Sequence, residues 1–499
     1  MVLLNPPAVR NCEPPVGLSR IAGALRAAGE PVKLIDGARD ALDWLSEQEG
    51  TDKEDRQARR VYRSRNHIRE TLQSPRGYDS FDRYVKTVSD YTLLLNSPLP
   101  KEIRLTPADY RHSQLSPLRS EDIGRAQDNP ESNPFYPWFS SVLKDLLGGE
   151  ETRLGISLNY LSQVLTTAAL IGFIQREFPA TRILLGGGLI SSWARRPGLE
   201  KLPFKADLIH PGRGEEAAVR FCDRKWAGEG TPWFGDLYDN PYMAPGPILP
   251  YSVADSCSWK RCSFCAERWE NYPYREQEAP IAARQLAALT AEHSPALIHL
   301  SDSEISSAFM TELIKTPPGA PWYSFSRFTK EMTDLSYCRR LAQSGCRMLC
   351  LGLESGDQEV LNRLNKGIRL DWVSVILKNL KEAGIGTFVY LLFGTPAENR
   401  DAALRTRDFA LEHRAYMNYL NLAVFTMPRI SGEAESLEKT DFYEGDLSLA
   451  TDFVHPGGWS RSEVRRFLDK EFRGVPELRE ILKRTPPVYT ANHASFIKK

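Results

Sequence analysis

The chain has 499 residues, of which 41% are hydrophobic and 26% are charged, proportions typical of a globular protein with roughly two to four domains. Lys plus Arg equals Asp plus Glu at 64 each, so the net charge gives no reason to expect nucleic-acid binding. The apolar runs fall short of the roughly 18–20 residues that span a membrane, and the N-terminus lacks a signal-peptide pattern. We therefore expect a cytoplasmic protein with neither a membrane nor a nucleic-acid partner.

The first part of the chain alternates short apolar strands with amphipathic helices. Strands are predicted at 1–5, 32–36, 153–158 and 182–188, with helices between the first two and between the last two, and a further strand and helix follow within 206–222. This alternation predicts an α/β domain over residues 1–225 with a doubly wound parallel sheet. Residues 38–152 interrupt the pattern as either a disordered linker or an ordered helical insertion. We favour the insertion because Trp, Tyr and Phe recur through it.

A second series of strands and helices follows a linker at 226–246 that is rich in Gly, Pro and aromatic residues. Six apolar strands alternate with helices over 247–430, which predicts a partial or full (β/α) barrel. Barrels of this kind carry their chemistry at the carboxyl ends of the strands. Residues 431–499 form a small, mostly polar C-terminal region.

Three cysteines crowd one segment with the spacing C-x4-C-x2-C: Cys257, Cys262 and Cys265. A structural zinc site usually needs four protein ligands, and no second cysteine pair lies nearby in the sequence. Three thiolates can hold a 4Fe–4S cluster and leave one iron open to a ligand. The spacing therefore favours an iron–sulfur cluster over zinc. The eight cysteines are few for the length, which fits a reducing compartment.

This cysteine segment, with Phe264 before its last cysteine, resembles the radical S-adenosylmethionine (SAM) superfamily. The usual spacing there is C-x3-C-x2-C, so this chain has one extra residue, Trp259 or a neighbour. Later motifs recur in the expected order over 247–430. The resemblance implies a 4Fe–4S cluster held by the three cysteines, which serve as its catalytic metal ligands, and SAM bound beside it.

The resemblance also implies which other residues meet SAM. They lie at the ends of successive predicted strands: Phe264, Asp302, Glu304, Arg327, Glu354, Ser355, Gly394 and Pro396. Arg327 offers a planar fork for the SAM carboxylate, and the acidic side chains suit its amino group or the substrate. Gly394 lacks a Cβ, so the adenine can approach the backbone. The alternatives are surface ion pairs for the charged residues and an ordinary turn at 394–396.

A flavodoxin-like domain before such a barrel resembles the cobalamin-binding subclass of the superfamily. The resemblance places the nucleotide tail of cobalamin at Ser157, Gly186, Gly187 and Gly188, although these glycines are also typical of a tight turn. The first loop has no His, so a lower-face imidazole ligand to cobalt is absent. We expect the insertion to shape a substrate pocket or to occupy the place of cobalamin.

The function implied is that of a radical SAM transferase in natural-product biosynthesis, most simply a cobalamin-dependent C-methyltransferase. The alternative is cobalamin-independent transfer of a 3-amino-3-carboxypropyl group, as in the biosynthesis of arsinothricin. Expected partners are a small-molecule or peptide substrate and an electron donor such as flavodoxin or ferredoxin. A non-catalytic iron–sulfur or redox-sensing protein is a more remote interpretation.

Overall fold

The computed structural model describes residues 1–148, 152–199, 201–440 and 445–497, without the side chains of 490–492. The chain forms two compact units. The first contains Met1–Pro247 and two later segments, 445–449 and Pro487–Tyr489; the second contains the other described residues. In the described part of the chain, no helix is long and apolar enough to cross a membrane.

The strands of the first unit are short, and those of its main sheet are mostly apolar. They are β1 (Val2–Asn5), β2 (Lys33–Asp36), β3 (Ile103–Thr106), β4 (Asp109–His112), β5 (Arg153–Ser157), β6 (Arg182–Gly186) and β7 (Leu208–Ile209). All except β3 and β4 form one parallel sheet in the order β2-β1-β5-β6-β7. If these five are counted in chain order, the sequence is 2-1-3-4-5, the flavodoxin-like order. The fold class predicted for this part is therefore confirmed.

Helices connect the strands of the first unit and fill its insertion. They are α1 (Val16–Ala27), α2 (Gly37–Ser46), α3 (Arg56–Arg63), α4 (Arg65–Leu72), α5 (Phe81–Asn96), α6 (Ser120–Asp128), α7 (Tyr136–Leu147), α8 (Val164–Glu177), α9 (Gly188–Ala194) and α10 (Glu215–Phe221). Helices α2 to α7 make the insertion ordered and mostly helical. The sequence analysis missed its antiparallel hairpin, β3–β4.

The later segments complete the first unit. The indole N–H of Trp193 donates to the carbonyl of Leu447 at 2.8 Å, and the Tyr489 hydroxyl donates to Asn11 at 2.7 Å. Residues 226–246, which we predicted to be a linker, also lie within this unit, with Phe234 and Leu237 buried. The first unit therefore takes its core from three separate stretches of sequence.

The strands of the second unit begin with the one that precedes the cysteine loop. They are β8 (Ile248–Tyr251), β9 (Ala254–Asp255), β10 (Arg275–Glu276), β11 (Leu297–Leu300), β12 (Trp322–Ser326), β13 (Cys346–Glu354), β14 (Gly386–Phe393), β15 (Tyr419–Val424), β16 (Met427–Pro428), β17 (Lys439–Thr440) and β18 (Ala450–Phe453). Six of them form a parallel sheet in the order β15-β14-β13-β12-β11-β8. This is the predicted barrel in its partial form.

Helices separate these strands and continue after the last of them. They are α11 (Ala266–Glu270), α12 (Ala279–His293), α13 (Ser307–Lys315), α14 (Leu335–Gln343), α15 (Gln358–Arg363), α16 (Leu370–Glu382), α17 (Arg400–Glu412), α18 (Gly432–Ser436), α19 (Arg461–Phe467), α20 (Pro476–Arg484) and α21 (Thr490–Ser495). The C-terminal region packs on β14: the rings of Phe467 and Phe472 lie 6.0 and 5.6 Å from that of Phe393.

Candidate active site

The loop that carries the three cysteines leaves the carboxyl end of β8 and is held there by Asp302. The Asp302 carboxylate accepts hydrogen bonds from the N–H groups of Val253 (2.9 Å) and Ala254 (2.8 Å) and from the Ser252 hydroxyl (2.9 Å). We had predicted that Asp302 binds the SAM amino group or substrate. In the structure this buried carboxylate fixes the start of the loop, where unpaired backbone N–H groups would be costly, and its contact with SAM or substrate stays a prediction.

Cys257, Cys262 and Cys265 all lie on this one loop as free thiols. Burial raises the pKa of Cys257 and of Cys265 to about 11, and the neighbouring Glu304 carboxylate also raises that of Cys257. Helix α11 begins directly after Cys265. The loop therefore presents three closely spaced sulfur donors at the carboxyl edge of the sheet.

Glu304 and Arg327 lie against this loop. One Glu304 oxygen accepts from the Cys257 thiol at 3.1 Å and from the Ser258 hydroxyl at 3.0 Å. The other is 3.9 Å from Arg327 Nε, and Arg327 Nη1 lies 3.9 Å from the Cys262 sulfur. Both side chains are about 90% buried, at 8% and 12% exposure. The predicted residues are thus brought together with the thiols, while their contact with SAM stays a prediction.

Glu354 ends β13 in a strained conformation, with φ of +67°, beside an irregularity in the register with β14. Its carboxylate accepts from the Lys366 ammonium at 2.8 Å, and both side chains are nearly buried. A Cβ on Gly352 would come within 2.8 Å of both charged groups, so a side chain there would displace the ends of these two flexible side chains. Lys366, which lies 12 residues after Glu354, was not among the predicted site residues.

The Ser355 side chain serves the fold. Ser355 is fully buried, and its hydroxyl lies 3.0 Å from that of Thr406 and accepts from the Asp357 N–H at 3.1 Å. The bonds tie the end of β13 to helix α17. These contacts give its hydroxyl a structural role, and the cofactor contact that we predicted for this serine stays a prediction.

The turn after β14 contains Gly394, whose φ of +82° is one that glycine adopts without strain. Its N–H donates to Glu398 at 2.5 Å, and the Trp459 indole donates to the same oxygen at 3.0 Å. The other oxygen of Glu398 has no hydrogen-bond partner among the described residues. Burial raises the pKa of Glu398 to about 7. Pro396, predicted to meet the adenine, is partly exposed in this turn.

Segment 455–459 supports that turn from the other side. The His455 ring nitrogens lie 3.0 Å from the Thr395 carbonyl and 3.0 Å from the Gly457 N–H. Burial lowers the pKa of His455, which favours the neutral ring. Neither Glu398 nor His455 was predicted, because each acts through residues distant in the sequence.

Phe264 packs in the apolar surroundings of the cysteine loop. Its ring contacts one cluster that includes Val360 and Leu364 and another that includes Phe425 and Met427. The contact with a cofactor that we predicted for Phe264 stays a prediction. Its observed part is to anchor the loop between the last two cysteines.

The carboxyl edge of the first unit is differently built. A Cβ on Gly187 would lie 2.4 Å from the Leu158 carbonyl oxygen, so this glycine, with φ of +113°, is required by a close approach of two backbones. The Ser157 hydroxyl accepts from the Asn159 amide at 3.0 Å. We predicted both to receive a nucleotide tail, and the structure shows them engaged with the chain. Gly186 and Gly188 have no such close contact.

The neighbouring crevice lies where the strand order reverses, between β1 and β5, the usual ligand position in such sheets. The buried amide of Gln163 crosses it: its nitrogen donates to the Asn5 side chain at 2.9 Å and to the Pro6 carbonyl at 2.7 Å. Its oxygen accepts from the N–H groups of Asn159 and Tyr160. The crevice is thus bridged by the protein's own side chain.

The donor set of the second unit fits a 4Fe–4S cluster with SAM. Three thiols share one loop, a guanidinium lies against one of them, and two nearly buried carboxylates lie beside the loop or the neighbouring strand end. Sulfur donors suit iron, and paired carboxylate and cationic groups suit the two charged ends of an amino acid. The first unit offers a weaker fit to cobalamin, since the Ser157 hydroxyl is bonded to Asn159 and the backbone of Gly187 lies against Leu158.

Residues 251–410 match the radical SAM superfamily. A curated relative, the anaerobic magnesium-protoporphyrin IX monomethyl ester cyclase of Rubrivivax gelatinosus, is 24% identical over 43% of this chain and 41% of its own length. The match therefore spans less than half of that relative.

Solved structures of similar fold cover most of the chain. The radical SAM methyltransferase TsrM of Kitasatospora setae, solved with cobalamin and a [4Fe–4S] cluster, is 14% identical and covers 86% of this chain and 75% of its own, with a TM-score of 0.52. TsrM solved with tryptophan and a SAM analogue is 15% identical and covers 96% of this chain and 88% of its own, with a TM-score of 0.56. Apo OxsB, a cobalamin-dependent SAM radical enzyme, is 14% identical and covers 94% of this chain and 66% of its own, with a TM-score of 0.55. This chain therefore contains a radical SAM domain and has the fold of the cobalamin-dependent radical SAM enzymes.

Proposed function

We propose that this protein is a radical SAM transferase that moves a SAM-derived group to a small-molecule or peptide substrate. The observation that carries the proposal is the contact of two of the loop's three cysteines with charged side chains: Cys257 with Glu304, and Cys262 with Arg327. When bound, the cluster supplies the electron that breaks a carbon–sulfur bond of SAM.

The protein's own residues bind and orient SAM. Arg327 presents a planar fork to the SAM carboxylate, while Glu304 and Glu354 offer oxygens to its ammonium group. Glu304 and Arg327 form an ion pair with each other, so the two charged ends of the SAM amino acid can replace these partners and leave neither buried charge unpaired. The Gly394 turn lets the adenine lie against backbone, and the network of Glu398 keeps that turn in place.

We propose methyl as the transferred group, with cobalamin as its carrier in the first unit. The support is the similarity of fold over most of the chain to TsrM, which was solved with cobalamin bound. The first loop lacks His, so the lower face of cobalamin would receive no imidazole from it. The substrate is proposed only by class, and the electron donor is a flavodoxin or ferredoxin.

Transfer of a 3-amino-3-carboxypropyl group without cobalamin is the second candidate. It is favoured by the bridging of the β1/β5 crevice by Gln163 and by the close backbone contact at Gly187. In this alternative the first unit serves as a scaffold or as a wall of the substrate pocket.

Anaerobic reconstitution with iron and sulfide, followed by SAM and dithionite, tests both candidates. Mass analysis then identifies the SAM fragments with and without added cobalamin. S-adenosylhomocysteine and 5′-deoxyadenosine that depend on cobalamin would support methyl transfer. Methylthioadenosine formed without cobalamin would favour the second candidate. Reconstituted protein that holds a cluster but leaves SAM intact would contradict the proposed function.

A further inference from the structure

Trp259 lies inside the lengthened cysteine loop and connects it to the turn after α15. Its indole N–H donates to the Asn365 carbonyl at 2.7 Å. Its ring lies on Gly367, where a Cβ would come within 2.1 Å of the indole carbons. The loop is thus attached to residues about a hundred positions later, and glycine at 367 makes room for the attachment.

The Trp259 ring also contacts two arginines, Arg327 and, at 5.0 Å from the ring centroid, Arg261. The guanidinium carbon of Arg327 lies 4.4 Å from the ring centroid, within the range of a cation–π interaction. The same guanidinium lies 3.9 Å from the Cys262 sulfur and donates to the Lys366 carbonyl. A planar guanidinium can stack on an aromatic face and keep its N–H groups available at its edge.

We propose that Trp259 is a positioning residue that holds Arg327 in place for the carboxylate of SAM and beside the Cys262 sulfur. The inference rests on the proposed function, because it concerns how that site recognises SAM. It assigns a role to the lengthened spacing between the first two cysteines: the segment contains an aromatic platform for Arg327.

Two consequences can be measured apart from turnover. A mobile Arg327 binds the SAM carboxylate less well, because the protein must then order the side chain on binding. A guanidinium near a cluster ligand favours the more negative, reduced cluster. Loss of its fixed position should therefore make the midpoint potential more negative.

The first test compares Trp259→Ala and Trp259→Phe in reconstituted protein. We expect Trp259→Ala to weaken SAM binding by roughly 2-fold to 30-fold by calorimetry, the range of a cation–π contact. A redox titration followed by electron paramagnetic resonance should show a more negative potential, with iron content unchanged. Trp259→Phe keeps an aromatic face and should restore most of both values.

Trp269 provides the matched control. It lies just beyond the same loop, donates its indole N–H to the Ser263 carbonyl at 2.9 Å and stacks with Arg268 at 4.7 Å. Its cation is a different arginine from the one beside Cys262. Trp269→Ala should therefore leave SAM affinity and potential near those of the wild type. Equal effects of the two alanine variants would overturn the proposal.

Gly367→Ala displaces Trp259 without removing it. Gly367 and Gly384 both have left-handed backbones, with φ of +70° and +77°, but a Cβ on Gly384 meets nothing within 4 Å. We expect Gly367→Ala to reproduce the loss in SAM affinity and Gly384→Ala to leave it unchanged. An unchanged affinity in soluble, folded Gly367→Ala protein would count against the proposal.

A double-mutant cycle separates this inference from the proposed function. In cluster-free protein, unfolding is measured for Trp259→Ala, Arg327→Met and the double variant. We expect the double variant to lose less stability than the sum of the single variants, because both remove the same contact. Additive losses would refute the Trp259–Arg327 coupling, even in a protein that cleaves SAM. Coupled losses in a protein that leaves SAM intact would contradict only the proposed function.

Discussion

The carboxyl edges of the two parallel sheets carry different kinds of side chain. In the second unit this edge holds three thiols and the ion pairs of Glu304 with Arg327 and Glu354 with Lys366. In the first unit the corresponding edge carries glycines, neutral amides and the buried carboxylate of Asp36, and Gln163 bonds across its crevice. Strand order shows where a ligand can bind. Whether a ligand binds there depends on whether the side chains at that edge can give up their internal partners for it.

The largest effect is expected from the removal of a thiol at the carboxyl edge of the second unit. Cys262→Ala should lower bound iron severely and abolish SAM cleavage, because two thiolates no longer hold the cluster in the open form. Iron analysis, the visible spectrum and SAM products check this. The control is Cys338→Ala, a buried thiol in α14 that donates to a carbonyl. Full iron content in the Cys262→Ala protein would show that Cys262 does not bind the cluster.

The ion pair beside them should be the next most sensitive feature. Lys366→Met leaves the nearly buried Glu354 carboxylate without its ammonium, which we expect to cost about 3–5 kcal/mol of unfolding free energy. Lys366→Met combined with Glu354→Gln should recover part of that loss. Denaturant unfolding of both variants provides the measurement. A single variant as stable as the wild type would show that the pair is already solvated.

Glu398 should make the stability of the second edge depend on pH. Burial raises its pKa from 4.5 to about 7, so the folded protein holds this proton more tightly than the unfolded chain. Its contribution is therefore complete below about pH 4.5 and is lost as the pH rises through 7, by up to about 3 kcal/mol. Glu398→Gln keeps an acceptor for Gly394 and should flatten this decline. If the stabilities of the wild type and the variant change in parallel with pH, Glu398 is already ionised in the folded protein.

A smaller effect is expected from substitution of a glycine at the carboxyl edge of the first unit. Gly187→Ala places a Cβ against the Leu158 backbone and should cost about 1–3 kcal/mol, with or without cobalamin. Gly188→Ala meets only the Asn159 oxygen at 3.6 Å and should be nearly neutral. Thermal unfolding compares the two, and Gly188→Leu then tests cobalamin uptake in a folded protein. Equal stability of the two alanine variants would mean that the backbone contact is not close.

The smallest effect concerns Asp302. Asp302→Asn retains an oxygen for the N–H groups of Val253 and Ala254 but removes the negative charge. SAM affinity should stay within about twofold, since an ammonium contact would be worth more than 1.5 kcal/mol. Calorimetry measures this. A tenfold loss would restore the ligand role that the sequence suggested.

The strands of both sheets could be predicted because each is a continuous apolar run, as parallel strands buried on two faces require. The hairpin β3–β4 could not, since it has only four residues a side and a polar sequence. The C-terminal helices were described only as one amphipathic stretch. Their packing on Phe393 depends on aromatic contacts that no local pattern reveals.

The candidate site was predictable to the extent that its residues lie in motifs. The cysteines, Glu304, Arg327 and Glu354 could be located in this way. The roles of Lys366, Trp259 and Glu398 could not be predicted, since they depend on contacts that only the fold creates. The side chains of Asp302 and Ser355 also bond within the protein, to backbone N–H groups and to a neighbouring hydroxyl, which the sequence does not reveal.

The first unit is built from distant segments of the chain, and this has a consequence for its folding during synthesis. It requires Pro487, whose carbonyl accepts from Tyr84, and Tyr489, which bonds Asn11. A ribosome adds about 5–20 residues per second, so these segments emerge roughly 10–50 s after Pro247. During that interval the first unit is incomplete and its tyrosine hydroxyls remain hydrated. The N-terminal half of this protein should therefore reach its native state late, after most of the second half has been made.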